Sequence, residues 1–173
     1  NYALLDEQGR LRIKGSGLRS RGLELFQREW LEEMLTLLLK DEREKIPELY
    51  RRYFHDLENH RKDVSWIAKT ETLQDSLDSY EAKVKAKKRN AAAPYELALK
   101  AERPYQPGDQ ISYYVTGAKA KVKISENCKL ASQWDAKHPD ENVEHYKAKL
   151  EDLYEKFRPF IEDDKQGELG DEC

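Results

Sequence analysis

Between Leu23 and Lys40, apolar side chains return at three- and four-residue steps: Leu23, Phe26, Trp30, Met34 and Leu37, with Leu31, Leu35 and Leu38 widening the stripe. That is the helical period, so the segment is expected to form a helix. Its apolar face is broad enough to need partners on two sides, and the chain supplies two. Ile46, Leu49, Tyr50, Tyr53, Phe54 and Leu57 mark a second amphipathic helix, with Pro47 tolerated in its first turn. The short connection around Asp41 makes these two an antiparallel hairpin. Later, Val143, Tyr146, Leu150, Leu153, Phe157 and Phe160 repeat the pattern in a long last helix that should dock on the hairpin, with Asp140 as its expected N-cap.

The rest of the chain reads as short extended pieces and cations. Tyr2–Leu5 and Leu11–Lys14 form an expected β-hairpin around the turn cluster Asp6–Gly9. Arg19, Arg21 and Arg28 around Gly22 put cations near a helix start, facing phosphate or solvent. Val64, Trp66 and Ala68 alternate with polar neighbours, so Val64–Thr72 is expected to be a strand ending in Lys69, Thr70, Glu71 and Thr72. Glu81–Asn90 is compatible with a short helix. Its Lys83, Lys85, Lys87, Lys88 and Arg89 either turn towards an anionic partner or form a solvated loop. Pro94–Glu102 reads as a further helix, and Gln106–Asp109 as a turn opening the strand Gln110–Val115. Lys119–Ile124 reads as another strand. Lys119, Lys121 and Lys123 then share one face, as a guard against edge pairing or as a phosphate-facing strip. Extended segments ending in hydroxyls and amides, with cations between them, make a poor core and suit a phosphate-facing surface.

Composition narrows the function. Charged and hydrophobic residues each make up 38% of the 173, and a 10% aromatic share argues against wholesale disorder. Nine acidic and three basic residues from Glu151 onward account for −6, so the preceding 150 carry +3 of a net −3. A mildly basic body is compatible with nucleic acid. No apolar run is long enough for a transmembrane span, so no membrane partner is expected. Cys128 and Cys173 give no CxxC motif, which suggests a reduced, cytoplasmic setting. No P-loop, GxGxxG or nucleophile–base motif occurs. His138, Asp140, Glu141, Glu144 and His145 are the densest metal-type cluster, but they lack the HExxH spacing. On its own residues the chain is expected to bind and not to catalyse. Starting without a Met at Asn1, it reads as a piece of something larger. The expected fold is α+β and mainly helical: a helix hairpin, a long C-terminal helix and a small β region.

Six short pieces, Asn1-Tyr2-Ala, Gly22 to Trp30, Lys69 to Leu73, Pro94-Tyr95, Pro107 to Tyr113 and Trp134 to Tyr146, stand in an order that resembles the thumb and last palm strands of the family B DNA polymerases, of prokaryotic type. Asn1-Tyr2-Ala resembles the end of that family's Lys-Lys-x-Tyr motif. Gly22-Leu-Glu-Leu-Phe-Gln-Arg-Glu-Trp30 is similar to its Gly-hydrophobic-Glu-x-x-Arg-x-Asp-Trp stretch, with Glu29 in place of aspartate. Lys69-Thr-Glu-Thr-Leu73 resembles a strand that touches the template backbone, although Gln74-Asp75 replace the usual basic residue after it. Pro94-Tyr95 stands where Pro-His is usual, and Pro107-Gly108 followed by Ile111-Ser112-Tyr113 is the nearest match. Trp134-Asp135, then Glu144-His-Tyr146, resembles the opening of the final thumb helix.

The resemblance implies the end of a palm over residues 1–22, a thumb over 23–163 and an acidic tail over 164–173. It implies a DNA-directed DNA polymerase, a nucleotidyltransferase of replication or repair. The partners would be primer–template duplex DNA, gripped through phosphate and minor-groove contacts, and the palm, fingers and exonuclease domain of a parent protein. Two Mg²⁺ ions and dNTP would be held by that parent, and the chain alone would be inactive. The DNA-contact candidates are Tyr2, Arg19, Arg21, Lys69, Thr70, Thr72, Lys83, Lys85, Lys87, Lys88, Arg89, Tyr95, Lys119, Lys121 and Lys123. The rival class is a helical protein–protein interaction module that binds no DNA.

Overall fold

A computed structural model describes residues 2–14 and 22–162. The architecture is α+β and mainly helical, and its contacts divide into two units, Asn1–Asn59 with Lys147–Cys173, and His60–Tyr146.

In the first unit, strands β1 (Tyr2–Leu5) and β2 (Leu11–Lys14) pair antiparallel, Tyr2 opposite Lys14 and Leu5 opposite Leu11. The Asp6 carboxylate closes their turn by accepting from the Gln8 and Arg10 amides at 3.0 and 2.8 Å. Gly9 (φ +76°) supplies the left-handed residue the turn requires. Helix α1 (Leu25–Leu39) buries Phe26, Trp30, Leu31, Met34 and Leu35, the face set out by its periodicity. A 3-10 turn at Arg43–Lys45 leads into α2 (Ile46–Glu58), which buries Ile46, Leu49, Tyr53 and Leu57.

The last helix, α5 (Val143–Ile161), contributes Leu150, Leu153, Phe157 and Ile161 to this core. The Trp30 ring meets Tyr50 and Tyr154 at 6.2 and 6.1 Å, so the three helices share an aromatic cluster. Lys149 reaches Glu24 at 2.7 Å, and the Gln27 amide donates to the Lys149 carbonyl. Phe160 departs from the expected stripe and is 60% exposed. A four-residue step from Phe157 leads to Ile161, and Phe160 falls off that face.

In the second unit, β3 (Lys69–Thr72), β4 (Gln110–Val115) and β5 (Cys128–Leu130) form an antiparallel sheet in that order. Helices α3 (Leu77–Lys85) and α4 (Ala93–Lys100) complete it, and Leu73, Tyr80, Tyr95, Leu97, Ile111 and Tyr113 form its core. Gly108 (φ +95°) and the Asp109 carboxylate, which accepts from the Gln106 amide, make the turn before β4.

Four sequence expectations fail here. Val64–Trp66 is a 3-10 turn and not a strand, because the Asp63 carboxylate accepts from the Ser65 amide and starts a helical turn. Helix α3 begins at Leu77, where the Ser76 hydroxyl accepts from the Ser79 amide, and ends at Lys85. Lys87 (φ +58°), Lys88 and Arg89 therefore lie beyond it. Lys119–Lys123 is not a strand. The Asn142 side-chain amide donates to the Thr116 and Lys119 carbonyls at 3.1 and 2.8 Å and folds this segment into a loop. Asn142, and not Asp140, caps α5, its side-chain oxygen accepting from the His145 amide at 3.0 Å.

Candidate nucleic-acid interface

Strands β3 and β4 present a polar face. Their register sets Thr70 opposite Ser112 and Thr72 opposite Gln110. Because alternate residues share a face, these four side chains lie together, and the Thr70 and Ser112 hydroxyls meet at 2.6 Å. The opposite face carries Ile111 and Tyr113, buried in the core. Lys69 and Glu71 share that second face, their charged groups 4.0 Å apart, while the Tyr113 hydroxyl donates to Glu71 at 2.6 Å. Lys69 therefore does not stand beside Thr70 and Thr72.

The basic run divides by role. The Asp75 carboxylate binds both Lys83 (3.0 Å) and Arg89 (3.3 Å). The Arg89 guanidinium lies 4.9 and 4.7 Å from the Tyr80 and Tyr95 ring centroids, and those rings stack 4.5 Å apart, 10° from parallel. Tyr95 is only 6% exposed, and its hydroxyl accepts from the Gln74 and Asp75 amides. Tyr95, expected at the surface, is thus buried, and Arg89 is half-buried against it. Lys85, Lys87 and Lys88 are exposed and make no ion pair among the described residues. The same holds for Lys119 and Lys121, while Lys123 pairs with Glu126 at 3.1 Å. Tyr2 stands in β1 with its side chain outside the described residues, where Arg19 and Arg21 also lie.

Two carboxylates of the His138–His145 group are engaged in other contacts. Asp140 accepts from the Tyr114 hydroxyl and from Lys129, and Glu141 meets Trp134 and His60 at 3.1 and 2.9 Å. Burial pushes Asp140 up, but the Lys129 and Tyr114 hydrogen bonds outweigh it and hold the carboxyl below the usual range. Among the described residues no group of His, Cys, Asp or Glu is placed to hold a metal. Burial pushes the Cys128 thiol up, which keeps it a weak nucleophile.

Sequence reasoning missed a groove beside this face. Strand β5 pairs only with Tyr113–Val115, so Gln110–Ser112 border open space on that side. Lys100, Arg103, Tyr105, Ser132 and Gln133 line it. The signal was Arg103-Pro104-Tyr105. A residue before proline is driven towards extended backbone, where side chains two apart share a side. The Arg103 guanidinium sits 4.3 Å from the Tyr105 ring centroid.

A helix hairpin, a long closing helix and a three-stranded sheet with one polar face make the chain an α+β protein without a metal-holding carboxylate cluster among its described residues. The structure of the family B DNA polymerase from the hyperthermophilic archaeon Pyrobaculum calidifontis shares this fold. Its TM-score is 0.65 at 20% identity, over 92% of this chain and 19% of that one. A DNA polymerase of Thermococcus aggregans is 28% identical over 153 residues, which are 84% of this chain and 8% of that protein. The chain thus spans less than a tenth of the length of that curated relative. No family model matches it. Among the described residues, no helix is long and apolar enough to cross a membrane.

Proposed function

We propose that this chain is the DNA-gripping thumb of a family B DNA polymerase, with residues 1–22 ending its palm and 23–163 forming the thumb. The observation that carries the reading is the Thr70/Thr72/Gln110/Ser112 face, a flat array of hydroxyls and amides on a sheet whose other side is core. Short neutral donors of this kind fit phosphate and sugar oxygens, which position a duplex without reading its sequence. Lys85, Lys87, Lys88, Lys119 and Lys121, which make no ion pair among the described residues, supply the cations that displace counterions. The similarity to a DNA polymerase over 84% of the chain supports the same reading. Primer–template would be held here, while the Mg²⁺ ions and dNTP would be held by other residues of a parent protein. The chain alone would then extend no primer.

The test is fluorescence anisotropy with labelled primer–template. Binding should be sequence-independent, with a dissociation constant of about 10⁻⁴–10⁻⁶ M that weakens steeply with salt. Lys85→Glu with Lys88→Glu should lower the log–log salt slope by roughly two. The same reversal at Lys40 and Lys156, exposed in the first unit, controls for net charge. Equal losses from both pairs, or no binding at low salt, would sink the proposal.

A further inference from the structure

The groove beside the first half of β4 is not explained by a duplex grip, because paired bases are stacked inside the helix and cannot enter it. It exists because β5 stops early. The Gln133 side-chain carbonyl takes the Leu130 amide at 3.0 Å, and residues 131–133 turn into a 3-10 helix instead of continuing the ladder. Lys100 and Arg103 make no ion pair among the described residues, and Glu102 is the acid in the lining, leaving one net positive charge. The Arg103 guanidinium is stacked on Tyr105. Exposed amides of Gln110 and Gln133 and the Ser132 hydroxyl complete the walls.

We propose that this groove binds a single-stranded nucleic-acid segment, an unpaired base stacking on the Arg103–Tyr105 pair while Lys100 meets the adjoining phosphate. The inference rests on the reading of the chain as a DNA-handling piece. It adds a strand-holding site beside the duplex face, with Gln110 and Ser112 on the border between the two. Three features favour an unpaired strand. A π-face backed by a guanidinium stacks any base. The neighbouring amides and hydroxyls can both donate to and accept from base edges. The cations Lys100 and Arg103 are solvent-exposed, where they can meet a passing backbone. An acidic peptide would use the cations and have no need of the aromatic platform.

The experiment uses the whole 173-residue chain and three probes: a fluorescent oligothymidylate, a blunt duplex without single-stranded ends, and unlabelled polyglutamate as competitor. Arg103→Ala alters an exposed side chain, while Tyr105→Ala also touches the core edge. Tyr105→Phe keeps the ring, and thermal melts report folding of every variant. Arg103→Ala and Tyr105→Ala should each weaken oligothymidylate binding about five-fold or more, Tyr105→Phe should retain it, and duplex binding should not move. An unchanged oligothymidylate affinity in Arg103→Ala, or no single-strand binding at all, overturns the proposal. Equal loss for both probes also overturns it, by reducing the groove to diffuse charge. Polyglutamate displacing the oligothymidylate at equal concentration would reassign the groove to acidic peptides. Duplex binding that fails while Arg103-dependent single-strand binding persists would sink the thumb reading and uphold the groove.

Discussion

Arg89 closes a basic run in sequence and has a different task from its neighbours. Its guanidinium covers two stacked tyrosines and meets Asp75, while Lys88 next to it stands in solvent without an ion pair among the described residues. Arg89→Ala should therefore destabilise by about 1–2 kcal/mol and Lys88→Ala by less than about 0.5, read by urea melts. Similar values would dissolve the distinction. Composition could not separate the two, because a cation–π clamp depends on where Tyr80 and Tyr95 lie in space. Asp140 offers a second residue-level measurement. Its depressed carboxyl contributes stability above the ordinary carboxylate pKa, and this is lost as pH falls through the folded-state value. Asp140→Asn should cost about 1 kcal/mol at neutral pH, given partial solvent screening, and the gap to the parent chain should close in acid. A gap that persists in acid would mean that geometry and not charge is at stake.

At the scale of elements, the long helices were legible and some short segments were not. α1, α2 and α5 repeat an apolar face over several turns, and each has a single consistent period. β1, β2 and β4 were also placed, because turn residues bracket them. Lys119–Lys123 had a clean alternation and still folds as a loop. Its backbone is held by Asn142, some twenty residues on, and no local period reports such a bond. The buried Asn142 serves two carbonyls and caps α5, so Asn142→Ala should cost about 2 kcal/mol or more. Hydrogen exchange should show faster opening at Thr116 and His145 than in the parent chain. Unchanged protection there would refute the latch. The polar β3–β4 face was half legible: Thr70 and Thr72 were named from sequence, and Gln110 and Ser112 joined them only through register.

Across the whole molecule, the tyrosines set an alkaline limit. Of ten in the chain, Tyr50, Tyr53, Tyr80, Tyr114 and Tyr154 are shifted upward, burial being the largest cause in each. Tyr50, with burial foremost and the Glu151 carboxylate next, is pushed up to about 12. An unfolded tyrosine ionises near pH 10. The raised groups keep their full contribution below that point and lose it as pH rises towards the folded values. The chain should therefore melt earlier above about pH 10, and phenolate absorbance should rise in two stages, the second coinciding with unfolding. One smooth titration at the ordinary value would contradict this. The abrupt end of β5 has a consequence for engineering. Three further pairings, Ser112 with Ala131, Ile111 with Ser132 and Gln110 with Gln133, would continue its register. At a net 0.5–1.5 kcal/mol per hydrogen bond, roughly, this is an evident place to make the chain hardier. Selection for heat resistance alone would be expected to find it, and each variant it found would have a flatter surface with less room for anything else to lie against.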